Sequence, residues 1–128
     1  MTEKVFYFVR HGISEMNEIL NEIGWANPNF VDCDLWDARL SSTGVKYAVT
    51  LAESVPDDID LESVEVMLSS PLTRALETAN YLFCHSSSLL PNNVPKVVHP
   101  LLRERLYMSS DVGRLKAEII ADFPDWVY

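Results

Sequence analysis

Arg10 and His11 stand side by side at the end of an apolar run, Arg74 lies in the segment SSPLTRALETA (69–79), and Glu104 in LLRERLYMSSD (101–111). A histidine held between two arginines is disfavoured as the cation, so its neutral ring stays available as a nucleophile. Phosphorus is the matching electrophile, because paired guanidinium groups can hold the nonbridging oxygens of a phosphoryl group while it passes to the ring. Glu104 is then the group to protonate the departing oxygen. Taken singly, each residue has an ordinary alternative: a turn histidine, a surface arginine on a helix, a solvated glutamate between Arg103 and Arg105. The elements that carry them decide whether they act together.

Those elements read as an α/β fold, a mostly parallel sheet flanked by helices. Residues 5–9, VFYFV, are continuously apolar and rich in β-formers, which predicts a parallel strand covered on both faces. VEVML (64–68) predicts a second strand and VPKVVH (94–99) a third. Helical spacing links Val45, Ala48, Val49 and Ala52 behind the cap candidates Ser41 and Ser42. It also links Leu72, Ala75, Leu76, Ala79, Leu82 and Phe83 behind Ser70 and Pro71, and a last helix is expected from about Val112 through Leu115 and Ile119 toward Phe123, stopped by Pro124. Ligands of such sheets collect at the carboxyl ends of the strands, where Arg10, His11 and Glu104 fall, and Arg74 falls in the first turn of a helix whose free N–H groups attract anions. Residues 21–40 and 84–93 read as loops that border a binding site.

Composition narrows the function further. At 128 residues the chain is one domain's worth, and its formal charge of −9 argues against nucleic acid or an anionic membrane as partner. A phosphate site in so acidic a chain needs its own local cluster of arginines. VFYFV is too short for a signal-peptide core or a membrane span, so a cytoplasmic protein is expected. Cys33 and Cys84 have no metal or redox spacing. Cys33 and Arg39 do have the Cys-x5-Arg spacing of cysteine phosphatases, but the intervening DLWDA has no glycine to turn N–H groups toward a dianion and adds two carboxylates. Asp32 and Asp34 resemble the D-x-D of aspartyl-phosphate enzymes, but no good strand precedes them and they read as solvated or capping groups.

Four motifs in order, R-H-G-x-S-x-x-N (10–17), D-x-x-L-S-x-x-G (37–44), S-S-P-L-x-R-A-x-E-T-A (69–79) and L-R-E (102–104), resemble the histidine phosphatase superfamily, also called phosphoglycerate mutase-like. The run RERLYMSSDVGR (103–114) is similar to a branch of phosphatases within it. The resemblance implies that His11 becomes phosphorylated, that Arg10 and Arg74 hold the phosphate, that Glu104 is the proton donor, and that Ser14 and Asn17 add hydrogen bonds to phosphate or substrate. It implies no metal and no cofactor, and a phosphorylated small molecule or phosphoprotein as substrate. Mutases of the family usually carry Glu after the first glycine, where this chain has Ile13, which favours a phosphatase over a mutase-type phosphotransferase. The family also uses a second histidine downstream of the acid, and none follows Glu104 before Tyr128. We therefore expect residues 1–128 to be the N-terminal part of the family domain, with an unpaired apolar edge beside residues 5–9. His85 and His99 are expected to be a loop and a strand-end residue. The competing reading is a module that captures phosphorylated ligands without turning them over.

Overall fold

The computed structural model describes residues 3–84 and 89–128, so the expectation for His85 lies outside the described residues. Among the described residues a short parallel sheet and four α-helices form an α/β fold, as expected: α1 (Glu15–Ile23), α2 (Ser42–Ala52), β1 (Met67–Ser69), α3 (Thr73–Phe83), β2 (Lys96–Val98) and α4 (Lys116–Asp122). β1 and β2 pair in parallel with Met67 opposite Lys96 and Ser69 opposite Val98, and α3 makes the crossover between them. Val127 adds a parallel bridge to Val97 on the other side of β2. Met67 and Val98 point into a core completed by Leu76 of α3, Ile119 of α4, Phe123 and Trp126. The opposite face is open, with Leu68 exposed, so β1 alternates where its apolar sequence predicted cover on both sides.

The largest correction concerns residues 5–9. They form no strand, and residues 4–12 make no backbone–backbone hydrogen bond among the described residues. Phe6 is 75% and Phe8 93% exposed, and their rings stack on each other 6.5 Å apart. Two side-chain ties hold the segment near residues 60–65: Lys4 to Glu65, and Asp60 N–H to the Tyr7 hydroxyl. An apolar run states a demand for burial, but a strand exists only where a partner offers a ladder. The sheet described here offers none at that position.

Two helix boundaries also differ from the periodicity. α1 falls in a stretch where no helix was expected; it buries Met16 and Leu20, one turn apart, and reaches Ile23, inside what read as loop. Gly24 ends it with φ 93°, a left-handed value that suits glycine. α4 begins at Lys116 rather than near Val112, because residues 109–111 form a separate 3-10 turn and Arg114 turns its side chain back to Asp37, Thr73 and Asp122.

Candidate active site

The chain leaves residues 5–9 and enters the site through a set of short backbone ties. Ile13 O accepts from Ser41 N–H (2.9 Å), Glu15 N–H donates to Arg39 O (3.0 Å), and Ser14 bridges Leu40. Ser41 caps α2 by accepting from Gly44 N–H at 3.1 Å. Gly44 lies so close to Ile13 that a Cβ there would stand 2.1 Å from Ile13 O. The sequence L-S-x-x-G thus presses the start of α2 against the backbone that follows His11. From the other side α3 holds the same segment: Gly12 N–H donates to Thr78 Oγ1 (2.9 Å), and that hydroxyl donates to Arg74 O (2.7 Å). One helix therefore positions both His11 and Arg74.

The start of α3 is fixed by Asp37, whose side chain is fully buried. Its carboxylate accepts from Thr73 N–H (2.8 Å), the Thr73 hydroxyl and Arg114 Nε (3.1 Å), so an aspartate distant in sequence caps the helix; Ser70 and Pro71 lie before it. Asp37 takes φ 45°, a left-handed conformation that aspartate tolerates better than most residues. Glu77, on the same helix, accepts from Leu40 N–H (2.7 Å) and Arg39 (2.8 Å).

Arg10, His11, Ser14, Asn17, Arg74 and Glu104 all line one cleft of about 450 Å³. His11 Nδ1 lies 2.7 Å from Gly12 O. A carbonyl can only accept, so Nδ1 carries the proton and Nε2 of the neutral ring keeps its lone pair. The His11 pKa is lowered, first by burial, against the raising effect of the Gly12 hydrogen bond; Arg74 and Arg10 lower it further and Glu104 raises it. The direction is the one read from the sequence, but the leading cause is desolvation rather than the arginines. Arg10 and Glu104 are exposed, and Glu104 Oε1 accepts from Arg105 N–H at 3.0 Å. Arg105 also lines the cleft, so three arginines face two carboxylates in a chain that is acidic overall.

Ser14 and Asn17 sit at the cleft with part of their capacity used. Ser14 caps α1, and both its N–H and its hydroxyl donate to Asn17 Oδ1 at 3.0 Å. The Asn17 amide nitrogen has no protein partner among the described residues. Two participants were not read from the sequence. Arg74, only 4% exposed, donates to Ser110 O (2.7 Å) and to Asp111 Oδ1 (2.9 Å). The signal available was the SSD triplet within RERLYMSSDVGR, which polar composition alone presents as loop. The apolar and aromatic part of the walls is Met16, Leu20, Trp25, Leu106, Tyr107 and Met108.

The remaining candidates fall elsewhere. Cys33 is exposed and absent from the cleft lining, and Arg39 is engaged with Glu77 and Asp122. Asp32 accepts from Ser109 N–H (2.6 Å) and the Ser109 hydroxyl, which hold its carboxyl below the usual range. His99 caps a 3-10 turn through Leu101 N–H. Among the described residues no helix is long and apolar enough to cross a membrane, and no group of three or more His, Cys, Asp or Glu could hold a metal ion.

Comparison with known proteins agrees with the motifs. A protein named "Probable phosphatase" from Schizosaccharomyces pombe is 30% identical over 128 residues, covering 98% of this chain and 52% of that protein. A 2,3-bisphosphoglycerate-dependent phosphoglycerate mutase from Enterococcus faecalis is 34% identical over 100 residues, covering 78% of this chain and 37% of that one. The chain thus spans about half the length, or less, of these curated relatives. The family model of the histidine phosphatase superfamily (branch 1) matches residues 6–128, and the chain belongs to that superfamily.

Proposed function

We propose that the protein hydrolyses phosphate monoesters through a phosphohistidine at His11. The observation that carries this reading is the cleft itself: a histidine whose Nδ1 is tied to a carbonyl shares it with two arginines and a glutamate. In the first step Nε2 attacks phosphorus in line, the N–P bond forms as the ester P–O bond breaks, and Glu104 gives its proton to the departing alcohol. In the second step water attacks phosphorus, its proton goes to Glu104, and the N–P bond breaks to release inorganic phosphate. Arg10 and Arg74 hold the nonbridging oxygens throughout, and their contribution is greatest where charge builds in the transition state. The Asn17 amide is a further donor to the phosphate; Ser14 acts mainly by capping α1. The substrate is a phosphorylated small molecule or a phosphoprotein, and the protein is cytoplasmic.

The mutase relative favours a second reading, in which another alcohol replaces water as acceptor of the phosphoryl group. Both readings share the phosphohistidine and separate at the second step. Incubating the chain with 4-nitrophenyl phosphate, with and without glycerate as acceptor, distinguishes them. We expect release of inorganic phosphate and an acid-labile phosphate on His11, both abolished by His11→Ala in a protein that still unfolds cooperatively. Saturable phosphate binding with no label and no turnover would overturn both readings in favour of a binding module.

A further inference from the structure

We infer that Asp111 is a positioning residue for the phosphate clamp: it fixes the Arg74 guanidinium to the segment that carries Glu104. The inference rests on the proposed role of Arg74 and goes beyond it. The Arg74 and Asp111 side chains are 5% and 9% exposed, and Asp111 Oδ1 accepts from Arg74 Nη2 at 2.9 Å. Asp111 Oδ2 accepts from the N–H groups of both Tyr107 and Met108, each at 3.2 Å. One carboxylate therefore ties α3 to the chain just beyond Glu104, with its two oxygens divided between the two tasks. Arg74 Nη1 is held separately by Ser110 O. Two of its five N–H groups are used in this way, and the other three have no protein partner among the described residues. A guanidinium held on one side in a fixed plane presents the rest to a phosphoryl group with little ordering left to do.

An amide cannot copy this arrangement. Asn at 111 offers one oxygen and one NH2, so it fails either Arg74 or the two backbone N–H groups. The two roles open to the carboxylate also predict opposite signs. As a mere countercharge it weakens anion binding, and its removal would tighten phosphate. As a positioning group it orients Arg74, and its removal weakens phosphate although the cleft becomes more cationic.

The test measures the inorganic phosphate Kd and the kcat for 4-nitrophenyl phosphate in the wild-type chain, Asp111→Asn, Arg74→Lys and the double variant. Asp111→Asn is expected to weaken phosphate and lower kcat by about tenfold or more. In the Arg74→Lys background the same change should cost less than about twofold, because residues acting through one another are not additive. Asp32→Asn, which loosens the same segment at Ser109 without touching Arg74, should keep kcat within about threefold. Tighter phosphate binding in Asp111→Asn, multiplicative losses in the double variant, or an equal loss in Asp32→Asn overturns the inference. Phosphate binding without wild-type turnover sinks the enzymatic reading while the coupling is still read from Kd; absence of phosphate binding overturns both. Should Asp111→Asn not fold, nitrogen NMR of the wild-type protein decides: Arg74 must show hindered guanidinium rotation before phosphate is added, and free rotation overturns the inference.

Discussion

The state of the His11 ring is set by one hydrogen bond and by its surroundings, neither of which involves a substrate. The Gly12 carbonyl selects the tautomer, and burial disfavours the cation. In the proposed mechanism the nucleophile is the neutral ring, so protonation would switch it off and a lowered pKa would extend activity into more acid solution. We expect the acid limb of kcat/KM to have its midpoint below the usual histidine value of 6.5. The matching measurement is the NMR titration of the His11 ring in the free protein. A midpoint at or above 6.5 in both would show that burial does not govern this ring. The sign was legible in the sequence from Arg10 and Arg74, but its main cause was not, since desolvation depends on chain remote in sequence.

At the scale of elements, motif residues with no chemical role prove to be the joints of the site. Asp37 caps α3, Ser41 caps α2, and Thr78 joins His11's neighbour to Arg74. Their spacing was visible in the sequence, but the pairings were not, because Asp37 and Thr73 meet across 36 residues. α2 and α3 were legible from local periodicity, and at α2 the expected Ser41 cap is the one observed, whereas Ser70 and Pro71 lie before α3, which Asp37 caps instead. α1 is poorly legible in the sequence despite a capping box at Ser14 and Asn17, because only Met16 and Leu20 mark its buried face. Gly44 gives this level its test. Gly44→Ala would force a Cβ into Ile13 O, a backbone atom that cannot swing aside, and should cost about 1–3 kcal/mol. Gly113→Ala is the control, since its Cβ would meet only Leu72 Cδ2 at an ordinary 3.6 Å. Thermal unfolding should separate the two variants, and equal midpoints would contradict the close packing of α2 on the segment after His11.

For the whole molecule, two opposing surface properties set its behaviour. The formal charge of −9 keeps copies apart, whereas residues 5–9 present consecutive apolar side chains on backbone that has no ladder partner among the described residues. Repulsion between exposed charges is screened over about 8 Å at physiological salt, but apolar attraction is not weakened by salt. Raising salt should therefore promote concentration-dependent association, the reverse of what an assembly held by ion pairs would do. Phe8→Lys tests whether residues 5–9 are responsible, because Phe8 is 93% exposed and its ring stacks on the likewise exposed Phe6, so its loss should leave stability nearly unchanged. A lysine there places charge on the unpaired edge, the device by which edge strands resist pairing. The replacement also makes the net charge less negative, which by itself would favour association. A fall in sedimentation mass in Phe8→Lys at high salt thus cannot come from charge balance and must come from the apolar edge. An unchanged mass in the variant, or a wild-type mass that falls as salt rises, would move the adhesive surface elsewhere.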